Sequence, residues 1–158
     1  MAKIHTHAIR ALDEMGIPYQ VVMLAHKVRH LDEAADERGL PASHLAKTLL
    51  AREVDGRRYA IAIVRGDQRL SLKKLARLLG VKALEMASLD DVPRITGYQP
   101  GAVSPAGLRR TDVPIYVDQH VLDQPRISVS AGRHDAELEL ASADLVRAAR
   151  GQVADLTE

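Results

Sequence analysis

The sequence LAKTLLAREVDGRRYAIAIV, residues 45–64, has the pattern of a β-hairpin. Two apolar runs, residues 45–51 and 58–64, flank the dipeptide Asp55-Gly56. Asp-Gly dipeptides are typical of tight turns between antiparallel strands, because both residue types tolerate positive φ angles. We therefore predict two neighbouring antiparallel strands, with the chain reversing at Asp55-Gly56.

Lys47 interrupts the first of these apolar runs, with Thr48 beside it. Burying an unpaired ammonium group is costly. Lys47 therefore either lies at a strand edge with its ammonium in water, or belongs to a site where it meets negative charge. The periodicity of the run leaves both possibilities open.

The remaining elements follow from apolar periodicity and capping residues. Helices are predicted over residues 6–15, 31–38, 72–79, 89–95 and 143–150. Further strands are predicted over residues 19–24, 81–86, 113–117, 126–130 and 136–140, with a single turn at 118–122. The expected N-caps are Ser71, Ser88 and Ser142, and the expected helix ends are Gly16, Gly39, Gly80 and Gly151.

The order of these elements indicates the fold class. Six or seven short strands and four or five helices follow one another without a regular βαβ alternation. This order predicts an α+β fold with a mixed, mostly antiparallel sheet that curls toward a barrel. At 158 residues the chain is long enough for one domain with its own core, so we expect a single domain over residues 1–158.

The composition excludes several classes of protein. No apolar run approaches the roughly 18 residues of a membrane span, and the absence of cysteine excludes disulfides, thiolate metal sites and a cysteine nucleophile. Residues 1–5 lack the apolar core of a signal peptide, which indicates a cytoplasmic protein. His26 and His30 have a spacing found in metal sites, but no third ligand lies nearby. We therefore predict no metal and no cofactor.

The segment GYQPGAVSPAG, residues 97–107, specifies its backbone unusually tightly, because it contains three glycines and two prolines. Glycine permits positive φ and close approach to a ligand, while proline fixes φ and removes a donor. The remaining N–H groups are then held in set directions, where they can bind an anion or a developing oxyanion. We predict that this loop faces Lys47 and that the two form one site.

The motifs of several enzyme classes are missing from the chain. It contains no G-x-S-x-G, no G-x-x-x-x-G-K-[ST], no G-x-G-x-x-G and no H-E-x-x-H. Ser104 is followed by Pro105, unlike a nucleophile elbow, so we interpret Ser104 as part of the loop framework. The remaining possibility is a site without a protein nucleophile, in which Lys47 and backbone donors position a substrate and stabilise charge.

Any contact with nucleic acid is expected to be mostly to phosphate. The chain has no Phe, no Trp and four Tyr, so it offers few surfaces on which bases could stack. Its net charge of +1 predicts weak, salt-sensitive binding, although basic residues cluster locally. The candidates are Arg65, Arg69, Lys73, Lys74, Arg109 and Arg110. A merely solvated charged surface is the alternative for these residues.

Five segments share a pattern with one protein family. They are LAKTLL at residues 45–50, AIAIV at 60–64, the loop G-Y-x-x-G-x-x-S-P-x-G at 97–107, VSAGR at 129–133 and ELEL at 137–140. In this order they resemble the YbaK-type aminoacyl-tRNA deacylases. That family includes the editing insertion domain of bacterial prolyl-tRNA synthetases and its free-standing relatives.

The resemblance implies a mixed sheet or barrel-like core ringed by helices. It also implies hydrolysis of the ester of a mischarged tRNA, typically tRNA for proline carrying cysteine or alanine, with assistance from substrate groups. Lys47 matches the lysine that holds the substrate, and Gly101, Ser104 and Pro105 match the loop that orients the ester. Further implied substrate-binding residues are Leu24, His26, Thr48, Tyr98, Ser130, Gly132, Arg133 and Glu137. The resemblance implies mischarged tRNA as a partner, and an aminoacyl-tRNA synthetase as a second candidate partner.

Two positions depart from the cysteine-specific members of the family. Those members carry tyrosine where this chain has Leu24 and aspartate where it has Glu137. Such changes alter the discrimination between two amino acid substrates by about 1 to 3 kcal/mol, which is enough to redirect the preference among small amino acids. The sequence therefore leaves open which amino acid is removed. Two alternatives to the deacylase also stand. The fold can serve as a non-catalytic module that binds tRNA, a nucleotide or a synthetase, or Lys47 can be a structural strand-edge lysine.

Overall fold

The computed structural model describes residues 4–158. Residues 1–3, part of the start that argues against a signal peptide, lie outside the described residues. The helices are α1 (His7–Met15), α2 (Leu31–Arg38), α3 (Leu72–Leu79), α4 (Asp91–Thr96) and α5 (Ser142–Ala149). The strands are β1 (Gln20–Met23), β2 (Ala46–Glu53), β3 (Tyr59–Arg65), β4 (Leu84–Met86), β5 (Ile115–Asp118), β6 (Arg126–Arg133), β7 (Ala136–Ala141) and β8 (Gln152–Ala154). Short 3-10 helices occupy Ala42–His44 and Gln119–Asp123.

These strands form two sheets. The first has three antiparallel strands in the order β1-β7-β6. The second has five strands in the order β4-β2-β3-β5-β8, antiparallel from β4 to β3 and parallel from β3 to β8. A bridge between Leu45 and Ser128 connects the start of β2 to β6. The predicted α+β class with mostly antiparallel strands is therefore confirmed.

The predicted hairpin is present as β2 and β3. Its register pairs Lys47 with Val64 and Ala51 with Ala60. Asp55 adopts a φ of 56° in the connection between the strands, whereas Gly56 is not among the glycines with positive φ. Residues 60–64 of β3 are all buried, because β3 lies in the middle of its sheet with strands on both sides. The apolar run in the sequence thus corresponds to a central strand.

The core lies on the faces of both sheets. Leu12 of α1, Leu138 and Leu140 of β7 and Leu145 of α5 are at most 1% exposed and belong to one apolar cluster. A second cluster packs α3 against the five-stranded sheet through the fully buried Leu75. Within residues 4–158, no helix is long and apolar enough to cross a membrane.

Most of the predicted caps are confirmed. Ser71 Oγ accepts a hydrogen bond from Lys74 N, and Gly16, Gly39 and Gly80 end their helices in the left-handed conformation. The prediction that Ser88 is an N-cap is wrong, because Asp90 has the N-cap position of α4, although Ser88 Oγ accepts from Asp91 N. The prediction that Ser142 is an N-cap is also wrong. Ser142 is the first residue of α5, and its Oγ donates to Gln124 O instead of accepting a hydrogen bond from the first turn of its own helix.

The ends of several elements also differ from prediction. β8 was not predicted, since a short strand of mixed polarity carries little local signal and is formed by parallel pairing with β5. β6 continues to Arg133 through an irregularity between Ser130 and Arg133. α5 ends at Ala149, and Arg150 follows as the C-cap in the left-handed conformation expected of Gly151. The differences in β6 and β8 arise from pairing with distant segments.

The core of the three-stranded sheet is tested by Leu138→Ala. Leu138 is fully buried, so removing its side chain should lower the free energy of unfolding by about 2 to 5 kcal/mol. Leu89→Ala is the matched control, because Leu89 is 72% exposed and the same change should cost at most about 0.5 kcal/mol. Urea denaturation measures both. Equal losses would contradict the packing described.

Candidate active site

A cavity of about 300 Å³ lies where the two sheets meet. Its walls come from the start of β2, the paired ends of β6 and β7, the segment between β1 and α2, and the glycine- and proline-rich loop. The lining residues are Leu24, Val28, Arg29, His30, Leu31, Ala34, Ala46, Lys47, Thr48, Leu49, Gly101, Val103, Ser130, Arg133, Ala136 and Glu137. The structure therefore brings Lys47 and the predicted loop to one cavity.

Lys47 lies in this cavity near the start of β2 and is partly buried. Its Nζ forms no ion pair and no hydrogen bond within residues 4–158. The carboxylate that shares the cavity, Glu137, is held by Arg38 instead. The ammonium of Lys47 is thus available to a ligand that carries negative charge or strong acceptors.

Thr48 supplies polar groups beside Lys47. Its Oγ1 is buried and has no hydrogen-bond partner within the described residues. A buried hydroxyl without a partner is costly, and native proteins keep such groups where a ligand or water satisfies them. Because this oxygen is shielded from solvent, it belongs to the wall of the cavity and is not part of the surface open to a ligand.

The backbone of Thr48 lies at an open strand edge. Ala87 N donates to Leu50 O, so the even-numbered residues of β2 direct their backbone groups toward the β4 side. β4 pairs with residues 51–53 and does not extend alongside Thr48. The N–H and C=O of Thr48 consequently face the cavity side of β2, beyond the end of β4.

Gly101 brings the loop against the segment that precedes α2. It has a φ of 83°, and a Cβ at this position would lie 2.8 Å from Arg29 O. A side chain is therefore excluded both by the backbone conformation and by the contact with Arg29. This close contact fixes the distance between the loop and the segment around Arg29, which form two walls of the cavity.

The turn between β6 and β7 connects the same two segments. His134 Nε2 donates to Pro100 O over 2.9 Å, and Val28 N donates to His134 O over 2.7 Å. Leu24 N donates to Asp135 O over 2.8 Å. One turn thus fixes the loop and the segment after β1 relative to each other.

Backbone donors of the loop remain available. Ala102 N donates to Gln99 O, whereas the N–H groups of Gly101 and Val103 have no backbone acceptor within residues 4–158. Gly101 and Val103 both line the cavity. Donors of this kind can stabilise an oxygen on which negative charge develops.

Three other predicted loop residues lie behind this wall, outside the lining of the cavity. Ser104 is fully buried, and its Oγ accepts from Ala106 N. Tyr98 is also buried, donates its hydroxyl to Ala106 O over 2.5 Å, and has its pKa raised by that burial. Pro105 is buried as well and faces a groove on the other side of the loop. Tyr98, Ser104 and Pro105 therefore act on the cavity through the shape of the loop.

Glu137 is held by a buried network that the sequence did not indicate. Its Oε1 accepts from Arg38 Nη1 over 2.7 Å and from Ser128 Oγ over 2.9 Å. Burial raises the pKa of Glu137, while the bonds from Ser128 and Arg38 oppose that effect. Arg38 lies 99 residues from Glu137 in sequence. An arginine in the last turn of a helix is also common simply because it interacts favourably with the helix dipole, so its position in α2 does not indicate a link to Glu137. No local signal could have identified it.

The other predicted substrate-binding residues are divided between the cavity and its surroundings. Leu24, Ser130 and Arg133 line the cavity, with Arg133 bonded to Asp135 at 2.8 Å. His26 points outward with 84% of its side chain exposed, near Glu37. Gly132 lies outside the lining, where its N–H donates to Ser130 Oγ. Residues 4–158 contain no group of three or more His, Asp or Glu that could hold a metal ion.

The predicted phosphate-binding residues are of two kinds. Arg65 pairs with Asp67 and Asp123, and Lys74 pairs with Asp155. Arg110 pairs with Asp112. The exposed side chains of Arg69, Lys73 and Arg109 form no ion pair within the described part of the chain. The second group is therefore better placed to meet phosphates.

Comparisons with known proteins place the chain among editing domains. A family model described as an aminoacyl-tRNA editing domain matches residues 25–148. An Enterococcus faecalis protein, EbsC, described as a Cys-tRNA(Pro)/Cys-tRNA(Cys) deacylase, is 32% identical over 156 residues, which cover 96% of this chain and 93% of that protein. A proline–tRNA ligase of Geobacter metallireducens is 47% identical over 81 residues, 51% of this chain and 14% of the ligase. A solved structure described as a trans-editing enzyme for prolyl tRNA synthetase has a TM-score of 0.84 at 31% identity and matches over 99% of both chains.

The contact of Gly101 with Arg29 is tested by Gly101→Ala against Gly80→Ala. Both glycines have φ near 80°, but a Cβ at Gly80 meets nothing within 4 Å. Gly80→Ala should therefore show the conformational cost alone, about 1 to 2 kcal/mol. Gly101→Ala should lose more in urea denaturation and should shift the amide resonances of the segment around Arg29. Equal losses without such shifts would contradict the close approach.

Proposed function

Because the chain belongs to the aminoacyl-tRNA editing domain family and is an aminoacyl-tRNA deacylase, we propose that it hydrolyses tRNA for proline charged with a small wrong amino acid. The observation that carries this proposal is an unpaired lysine that shares one small cavity with open backbone donors. Lys47 has no ion-pair partner there, and the N–H groups of Gly101 and Val103 have no backbone acceptor, within residues 4–158. These donors can bind a polar ligand.

Lys47 anchors the substrate in this proposal. The end of a charged tRNA carries ester and ribose oxygens next to a phosphodiester, all of which accept hydrogen bonds from an ammonium. Thr48 binds a neighbouring oxygen through its edge-facing backbone N–H. Holding the ester in one geometry converts hydrolysis by water into an oriented reaction, which can supply a large part of the rate enhancement.

The ester is cleaved by water without a protein nucleophile. A water oxygen attacks the carbonyl carbon, negative charge develops on the carbonyl oxygen, and the bond to the ribose oxygen breaks as that oxygen takes up a proton. The N–H groups of Gly101 and Val103 stabilise the developing oxyanion from the loop. The adjacent ribose hydroxyl of the substrate assists the proton transfer.

The amino acid occupies the apolar side of the cavity. Leu24 and Ala34 are buried there, with Val28 and Leu31 packed around them. A volume of about 300 Å³ is at the small end for ligand sites, so it suits an alanine- or cysteine-sized side chain. Glu137, across the cavity, receives the α-ammonium group of the amino acid.

The tRNA itself is held weakly. Arg69, Lys73 and Arg109 contact its phosphates, and a net charge of +1 provides little general attraction. The 81 residues that match the proline–tRNA ligase cover 14% of that ligase. We therefore propose that recognition of the whole tRNA is shared with a synthetase partner.

The role of Lys47 is tested by Lys47→Ala. Loss of the anchor should slow deacylation of mischarged tRNA by at least about 100-fold while far-UV circular dichroism stays unchanged. Lys82→Ala, which removes an exposed lysine away from the cavity, is the control and should keep wild-type activity. Full activity in Lys47→Ala would show that Lys47 is a structural lysine. A wild type that binds the substrate but leaves the ester intact would identify a binding module.

Amino acid choice is tested with tRNA for proline charged with alanine, cysteine, serine or proline. Alanine and cysteine should be removed fastest, since Leu24 and Ala34 offer no partner for the hydroxyl of serine. Burying that hydroxyl unpaired should slow serine removal about 10- to 100-fold in kcat/KM. Proline, the correct amino acid, serves as the reference that must be spared. Serine removed as fast as alanine would contradict the apolar subsite.

A further inference from the structure

Arg38 lies outside the cavity lining, between α2 and the three-stranded sheet. Its side chain is 10% exposed. Nη1 donates to Ser128 Oγ over 2.6 Å and to Glu137 Oε1 over 2.7 Å, and Nη2 donates to Glu139 Oε2 over 3.0 Å. Ser128 in turn donates to Glu137 Oε1. The guanidinium thus reaches Glu137 both directly and through a hydroxyl.

This network treats the two oxygens of Glu137 differently. Both hydrogen bonds end on Oε1, and Oε2 has no hydrogen-bond partner within residues 4–158. Glu137 lines the cavity, whereas Arg38 and Ser128 do not. Because Oε1 is fixed by Arg38 and Ser128, the orientation of the carboxylate is set and Oε2 is available to accept a hydrogen bond from a ligand. Arg38 can therefore influence a bound molecule without touching it.

We infer that Arg38 is a positioning residue, which keeps Glu137 ionised and oriented so that Oε2 receives the α-ammonium group of the aminoacyl ester. This inference rests on the proposed function of the cavity. The geometry favours an ammonium over a neutral group, because a buried carboxylate with an open oxygen gains most from a cationic donor.

The charges around Glu137 explain why Arg38 is needed. Glu37 of α2 and Glu139 of β7 favour its protonated form, as does burial, which raises its pKa. On the cavity side, the lining contains Lys47, Arg29 and Arg133, which are cationic, and His30. Arg38 is the cation in direct contact with the carboxylate. Without Arg38, Glu137 should take up a proton closer to neutral pH, and its attraction for an ammonium should be lost.

The experiment measures binding and titration separately from hydrolysis. The probes are 3′-alanylamino-3′-deoxyadenosine, in which an amide replaces the ester, and its propionyl counterpart, which lacks the α-amino group. Calorimetry gives both affinities between pH 5 and 8, and carbon-detected NMR follows the carboxyl of Glu137 over a wider range. The variants are Arg38→Met, Arg38→Lys, Glu137→Gln and the double variant Arg38→Met/Glu137→Gln. Arg126→Met is the matched control, because Arg126 bonds the far oxygen of Glu139 and does not contact Glu137.

Wild type should bind the alanyl probe at least about 10-fold more tightly than the propionyl probe. Arg38→Met should abolish that preference at pH 7 and raise the titration midpoint of Glu137 by about one pH unit or more. Arg38→Lys should restore part of both effects, and Arg126→Met should change neither. The double variant lacks both the guanidinium of Arg38 and the carboxylate of Glu137, so it leaves no buried charge unpaired. It should bind the alanyl probe no more weakly than Glu137→Gln alone.

Three results would overturn the inference. They are equal binding of the two probes by the wild type, a retained preference in folded Arg38→Met with an unchanged Glu137 midpoint, and an equal loss in Arg126→Met. Hydrolysis of mischarged tRNA by the same samples separates the two proposals. A wild type that prefers the amino probe but does not hydrolyse the ester would contradict the deacylase mechanism and leave the role of Arg38 intact.

Discussion

Strand β2 is paired unequally along its two edges, and the site depends on this inequality. β3 pairs with it along nearly its whole length, whereas β4 pairs with residues 51–53 near its end. The other half of that edge presents backbone groups with no neighbouring β4 residue, and an open edge is normally covered or blocked. Here the loop containing Gly101 and the ends of β6 and β7 enclose it without pairing with it fully. The resulting gap is the cavity.

The walls of this gap are held in place by specific contacts between segments that are distant in sequence. The backbone contact between Gly101 and Arg29 sets one distance, and the turn at His134 sets another through its bonds to Pro100 and Val28. Buried Ser104 and Tyr98 support the loop from behind. Polar groups facing the cavity are therefore held in place before a ligand arrives, which lowers the cost of binding and of reaching a charged transition state.

Much of the fold could be predicted because its signals are local. The hairpin follows from two apolar runs around Asp55-Gly56, and the cap at Ser71 follows from bonds within one turn of chain. The pairing of Lys47 with the glycine- and proline-rich loop was also predicted, and both lie at the cavity. β8, the first residue of α5 and the end of β6 were not predicted correctly. Each depends on a partner that is remote in sequence, such as β5 for β8 and Gln124 for Ser142.

By itself, the sequence determined most of the helices and strands, the family resemblance and a set of candidate site residues, because periodicity, caps and turn residues act over a few positions. The tertiary structure decided which of those residues face a ligand. It placed Thr48 and Glu137 in the cavity and Ser104 behind the loop, and it brought Arg38 to Glu137 across 99 residues of chain. Burial and ion pairing depend on the packing of separate segments, and no local pattern of residues encodes that packing.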